Sequence, residues 1–198
     1  MSDGRRERGA ATRERLLAAA RELFGERGFE GTSIEAVLER SGVARGALYH
    51  HFAGKAELFD AVLEAVNAEL AADAAAQARG GEDPLESLRN GARAWLGMAL
   101  DPAVQRIVLI DPPAVVGWRR WRELDERYWL GGLHADLRRL AREGRVPAEQ
   151  AEMLAQMLYA ALNEASLAIA NAEDQEKARA AAQGAIEGVL LRVCAGCD

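Results

Sequence analysis

Apolar residues Leu16, Leu17, Ala20, Leu23 and Phe24 recur at steps of three and four within "ATRERLLAAARELFGERGF", which predicts one amphipathic helix. Thr12 is placed to cap its start, and Gly25 or Gly28 to end it. A second helix is predicted at "TSIE", where Thr32 and Glu35 have the spacing of a capping box and Ile34, Val37 and Leu38 form the buried stripe. "SGV" at 41–43 reads as a short turn. In "VARGALYHHF" the stripe is Val43, Leu48 and Phe52, which makes a third helix. Two short helices joined by a glycine-bearing turn have the helix-turn-helix pattern. A fourth helix runs unbroken from near Lys55 to about residue 78 and, at 1.5 Å per residue, is roughly 35 Å long.

"RGGEDP" at 79–84 marks the next break. After it come Leu85, Leu88, Ala92, Trp95, Leu96 and Ala99 as another stripe, then a shorter helix from Asp101-Pro102 through Val108. Pro112 and Pro113 interrupt the pattern, since neither has a backbone donor. Further helices are predicted from Trp118 to about Glu143, from Pro147 to Ala170, and from Asp174 to about Val193. The expected fold is all-α. An N-terminal three-helix helix-turn-helix domain (1–54) is joined through the long helix, about 55–78, to a C-terminal helical ligand-binding and dimerisation bundle (55–198).

Composition supports this picture: 49% of the 198 residues are hydrophobic and only five are proline. No apolar run approaches the roughly 18 residues needed to span a bilayer, and the arginine-bearing start has no apolar stretch after it. The expected location is therefore the cytoplasm, with no membrane partner. Net charge is −6, which argues against a nonspecific nucleic-acid coat. Yet residues 1–55 carry ten Arg/Lys against eight Asp/Glu, and the remainder fifteen against twenty-three. A slightly basic head on an acidic body suits a localised contact with an anion such as DNA.

The candidate chemistry lies on the third helix. Gly46 and Ala47 leave it smooth where its backbone would approach a duplex, while Arg45, Tyr49 and His50 offer donors to bases or phosphates. A glycine there costs about 1 kcal/mol of helix stability relative to alanine. Free amides beside Thr32, Ser33 and Lys55, at two helix starts, are further anion sites. Each residue alone also reads as ordinary solvated surface; the grouping favours DNA. In the bundle, Trp95, Met98, Trp118, Trp121 and Tyr128 are candidates to line a ligand cavity, with Asp111, Asn163 and Glu164 as its polar groups. Packed core is the alternative for the aromatics. Leu158, Ala161 and Ala165, with Ala178, Ala181, Ala182, Ala185 and Val189, form small-residue stripes expected at a dimer interface, or else within the subunit. No metal-ligand spacing, catalytic pair or cofactor motif is found, so no enzyme activity is expected. Cys194 and Cys197, at the end of the chain, read as a frayed tail.

Spacing and identity agree through four helices with one known pattern: Gly28-Phe29, Thr32-Ser33, Val37, Gly42-Val43, Gly46, Leu48-Tyr49, His51-Phe52, Lys55 and Leu58. Over roughly its first 65 residues the chain resembles the DNA-binding domain of the tetracycline-repressor (TetR) family of transcriptional regulators. The resemblance implies a homodimer whose paired heads bind a near-palindromic double-stranded operator, most often as a repressor, under the control of a small-molecule effector. The sequence departs from the family at Ala44, where Ser or Thr usually caps the third helix, at Ala47, where Thr is common, and at Leu38, where alanine is frequent. The alternatives are a helical carrier or enzyme with a vestigial head, and a scaffold that binds a partner protein through its acidic bundle.

Overall fold

In the computed structural model, residues 3–78 and 83–194 are described. Eleven α-helices are found among them and no strand. They are α1 (Asp3–Arg27), α2 (Ile34–Ser41), α3 (Arg45–His51), α4 (Lys55–Ala78), α5 (Pro84–Met98), α6 (Pro102–Val104), α7 (Pro112–Val115), α8 (Gly117–Asp125), α9 (Gly131–Arg142), α10 (Ala151–Ala170) and α11 (Gln175–Cys194). π-wound stretches at Gln105–Ile110 and Glu126–Leu130 follow α6 and α8. The second of these splits the single helix expected from Trp118 to Glu143. Most of "RGGEDP" lies outside the described residues, but Asp83 caps α5, its Oδ1 accepting from the Leu85 N–H at 3.2 Å.

Several helix ends differ from the sequence reading. α1 starts well before Thr12, whose hydroxyl donates back to the Arg8 carbonyl at 2.8 Å inside the helix. The added turns are mostly Arg, Glu and Ala, strong helix formers, with glycines at 4 and 9, and carry no apolar stripe to reveal them. α2 is capped by Ser33, whose Oγ accepts from the Ala36 N–H at 3.1 Å. Thr32 is buried instead, with its hydroxyl 2.8 Å from the Gly28 carbonyl and 3.0 Å from that of Leu23. Gly42 ends α2 at φ 65°, a left-handed conformation suited to glycine, and its N–H donates to the Leu38 carbonyl.

The chain separates into two compact units, and the boundary differs from the expected one at 54/55. Unit one is Met1–Val66 with Pro102–Trp121; unit two is Asn67–Asp101 with Arg122–Asp198. The segment 102–121 joins the N-terminal unit because α6 packs on α1: Val104, Ile107, Val108 and Leu109 are buried, as are Leu16, Ala20, Leu23 and Phe24. Phe24 and Phe59 meet edge to face at 5.1 Å and Phe29 meets Phe59 at 5.4 Å, favourable arrangements for ring quadrupoles. Arg106 Nη1 donates to the Glu26 carbonyl near the end of α1, satisfying a group that helix geometry leaves unpaired.

In unit two, α5, α9, α10 and α11 enclose a core of Leu88, Trp95, Leu96, Leu137, Leu140, Ala155, Tyr159, Leu162, Ile186 and Leu190. An 18-residue window within Ala148–Ala170 has a mean hydropathy of 1.2, so this helix is long and apolar enough to cross a bilayer by length and composition, although no uninterrupted apolar run of that length occurs. Ala155, Leu158, Tyr159, Leu162 and Ile169 are buried on it, so this core accounts for part of its apolar character, while Met153 and Met157 are exposed. Cys194 is fully buried in the same core rather than frayed, and burial pushes its thiol pKa up. Cys197 lies outside the described residues.

Gly25 is what lets α1 and α6 approach. A Cβ built there would stand 2.6 Å from Ala103 Cβ and 3.3 Å from Ala103 Cα. Gly25→Ala is expected to lower unfolding stability by roughly 1–3 kcal/mol through overpacking, despite alanine's better helix propensity. In urea unfolding, Ala103→Gly should be less damaging in the Gly25→Ala background than in the wild type.

Candidate functional site

α3 presents two different sides. Leu48 and the C-capping Phe52 are buried, while Arg45, Gly46, Tyr49 and His50 are exposed. A Cβ built at Gly46 meets nothing within 4 Å, so packing inside the protein does not require the glycine. Ala47 and His51 are half-buried at the border, with the His51 ring 5.3 Å from that of His50. Ala44 caps α3 with no side-chain hydrogen bond. Arg45 is already engaged: its Nη2 lies 2.6 Å from Glu35 Oε1 of α2. Glu35 is held below the ordinary carboxylate range, first by its own backbone N–H and then by Arg45. The Arg45 pKa is raised, mainly by Glu35 with a smaller contribution from Tyr49. Thus α2 and α3 preset the guanidinium on the exposed side.

Two expected DNA contacts have other duties. The Thr32 hydroxyl is buried on backbone carbonyls, so its side chain is not a contact; Ser33 is exposed beside it. Lys55 Nζ donates to the Phe29 carbonyl at 2.9 Å and sits 4.1 Å from the centroid of the Phe29 ring. That side chain ties the start of α4 to the α1–α2 loop. Asp111, expected in a ligand site, serves the same loop, since its Oδ2 accepts from the Phe29 N–H at 2.7 Å.

A second candidate site lies within unit two. A cavity of about 230 Å³ is lined by Trp95, Trp129, Tyr128, Tyr159, Leu88, Leu133 and Leu162, with small residues around them. Trp95 and Trp129 meet edge to face at 4.2 Å, and Trp95 and Tyr159 at 5.7 Å. Both indole N–H groups are already satisfied: Trp95 donates to Ser166 Oγ at 2.9 Å and Trp129 to Asn67 Oδ1 at 2.7 Å. Polar lining comes from Ser87 and Asp136, themselves joined at 2.6 Å. No Lys or Arg lines it among the described residues.

Residues 16–62 match the family "Bacterial regulatory proteins, tetR family", and residues 85–193 match "Tetracyclin repressor-like, C-terminal domain". The chain belongs to the TetR family. A TetR-family transcriptional regulator from Pectobacterium atrosepticum has a crystal structure that superposes with a TM-score of 0.81 at 36% identity, covering 96% of this chain and 97% of that one. The transcriptional repressor AcnR of Corynebacterium jeikeium (strain K411) is 30% identical over 155 residues, 72% of this chain and 73% of AcnR. The regulator UidR of Escherichia coli (strain K12) is 40% identical over 63 residues, only 32% of either chain. This chain thus matches about a third of UidR's length.

Within this TetR-family chain, only some of the expected ligand residues come together. Trp95 and Tyr128 line the cavity. Met98 borders a separate, more polar depression with Arg93 and Asn90. Trp118 and Trp121 stack edge to face at 5.3 Å in unit one, with Trp118 66% exposed. Asn163 hydrogen-bonds the Tyr159 hydroxyl rather than lining the cavity, and Glu164 is exposed. Trp129 and Tyr159 were missed. The adjacent "YW" pair and the Tyr within the Leu158–Leu162 stripe were the available signals. Of the expected interface residues, Leu158 is buried in the subunit core, and Ala165, Ala178 and Ala182 pack partly against it. Ala161, Ala181, Ala185 and Val189 are exposed, together with Met153, Met157 and Leu191, which the alanine pattern did not reveal.

Beside the cavity, Asp125 is buried and shares a hydrogen bond with Tyr159, with Arg122 Nη1 at 3.5 Å. Burial pushes its pKa up to about 6, against partial opposition from Tyr159 and Arg122. Burial and the Asp125 charge raise the Tyr159 pKa in turn.

A folded-state pKa above the unfolded one favours the folded protein while Asp125 is protonated. That contribution is complete below about pH 4 and is lost as pH rises through about 6. Asp125→Asn should therefore flatten the pH dependence of urea stability between pH 4 and 7 by roughly 1–3 kcal/mol, measured as the wild-type minus variant difference. At the head, Glu35→Ala frees Arg45 and removes an anion from the exposed side. Binding to nonspecific duplex should strengthen while discrimination for the selected operator falls, as read by competition anisotropy.

Proposed function

We propose that the protein is a ligand-responsive transcriptional repressor. As a homodimer it places the two α3 helices in successive major grooves of a near-palindromic operator, one helical turn apart. Gly46 carries this reading. A glycine inside an exposed helix lowers stability and meets nothing within the protein, so its value lies with an external surface that approaches the backbone. Arg45, Tyr49 and His50 surround it with donors for base edges and phosphates.

The second copy docks on the outer side of α10 and α11. Met153, Met157, Val189 and Leu191 are 63%, 60%, 46% and 47% exposed there, with Ala161, Ala181 and Ala185 between them. Met153, Met157 and Ala161 on α10, and Ala181, Ala185 and Val189 on α11, each recur at steps of four. They form one exposed apolar stripe per helix, the mark of an association surface, while Leu191 lies on the other flank of buried Leu190. The effector is a small, largely apolar, uncharged or cationic molecule held in the aromatic cavity. Among the described residues its lining holds no basic residue to offset a carboxylate. Occupancy acts on the operator by favouring one arrangement of the paired heads, with α4 as a continuous helical path between the units.

Selection of bound fragments from random duplex DNA tests the reading, with enrichment of a two-fold-symmetric site as the expected result. Gly46→Leu should leave thermal stability equal or higher yet reduce operator affinity at least tenfold. Met157→Glu combined with Val189→Glu should give a folded monomer by sedimentation and abolish operator binding at nanomolar protein. A monomeric wild type, or indifference to every duplex at low salt, would instead support a carrier with a vestigial head.

A further inference from the structure

α1 extends to Asp3, although the first buried residue on it is Leu16. Between Arg6 and Arg15 every residue is exposed or half-exposed, so these turns contribute little to the core. They run instead along the border of α3. A Cβ built at Gly9 would stand 4.0 Å from His51 Cε1, and the Arg13 guanidinium lies 5.5 Å from the centroid of the Phe52 ring.

Arginines occur on more than one side of this part of the helix, with Arg8 and Arg15 turned away from α3, but both carboxylates between Arg6 and Arg15 lie off the side that meets α3. Arg6, Gly9 and Arg13, at steps of three and four, share one face, the face that Gly9 and Arg13 place beside α3. Glu7 and Glu14 each follow an arginine by one residue, which turns them about 100° around the axis. From Gly9 the turn to either glutamate is larger still. Arg6 and Arg13 therefore continue the exposed donor surface of Arg45, Tyr49 and His50 past the C-terminal end of α3, and the carboxylates lie off it.

We propose that the N-terminal turns of α1 are a second DNA-contacting element, with Arg6 and Arg13 on backbone phosphates bordering the groove that α3 enters. The inference rests on the DNA-binding reading above. The Phe52 ring orients the Arg13 guanidinium, and the Gly9–His51 approach holds the arginine face in line with α3. Phosphate contacts of this kind add affinity without sequence information and release counterions.

The test uses the full-length protein and the operator obtained by selection, with anisotropy titrations at several salt concentrations. Each dimer carries the substitution twice, so Arg6→Gln and Arg13→Gln should each reduce the slope of log affinity against log salt by about 1.8. They should weaken operator and nonspecific duplex several-fold alike and leave the selected sequence unchanged. Glu7→Gln, on the other side, should leave the slope as it is. Hydroxyl-radical footprints of Arg6→Gln should lose protection at the edges of each half-site. Arg6 lies beyond the core, so its variant reports even where Arg13→Gln loosens the fold. Unchanged slopes for both arginine variants, with the wild type binding normally, overturn the proposal and leave α3 standing. An altered base preference without a slope change also overturns it. Failure of the wild type to bind any duplex removes the regulator reading itself, and this inference with it.

Discussion

Phe29 is where the N-terminal unit is tied together. Its ring contacts those of Phe24 and Phe59, its carbonyl accepts from Lys55, its N–H donates to Asp111, and Lys55 also lies over its ring. One residue thus joins the end of α1, the start of α4 and the turn before α7. Thr32, three residues on, adds its hydroxyl to the carbonyls of Leu23 and Gly28. With this loop fixed, α2 leaves at a defined angle from Ser33, and α3 follows across the left-handed Gly42. The placement of Arg45, Gly46 and Tyr49 on one exposed side is a consequence.

That arrangement separates two demands which otherwise compete. Buried apolar groups and satisfied backbone carbonyls hold the head, so the outward residues of α3 are free of packing duties. Gly46 is the plainest case, because the fold would be as well served by alanine. Lys55 is the reverse case: a cation that resembles an anion contact in sequence but whose ammonium is spent on a carbonyl and a ring. The Glu35–Arg45 pair lies between, exposed and therefore cheap to open against a stronger anion.

Unit two solves a different problem. Its core aromatics are not close-packed throughout; Trp95, Trp129, Tyr128 and Tyr159 leave a cavity whose indole donors are already occupied. Such a site asks little of a ligand except apolar shape. The Asp125–Tyr159 bond joins an ionisable group to one of the residues that line the cavity. The outer faces of α10 and α11, apolar without being packed, are the counterpart on the surface.

Helix content, the helix-turn-helix and the residues of α3 were legible from sequence because each depends on neighbours three or four positions away. Spacing along one helix sets its buried stripe, and a glycine or proline sets its ends. The charged start of α1 escaped that logic, having no stripe to read. The assignment of 102–121 to the N-terminal unit, the clamp of Asp111 on Phe29, and the fate of Lys55 and Thr32 depend on contacts between residues far apart in the chain. So does the division of Trp95 and Tyr128 from Trp118 and Trp121, since an aromatic at helical spacing looks the same whether it lines a cavity, fills a core or faces water. Local periodicity by itself determined which helices form and which faces are apolar; only the tertiary packing decided which of those faces meet, because that choice is made by shape complementarity between distant segments.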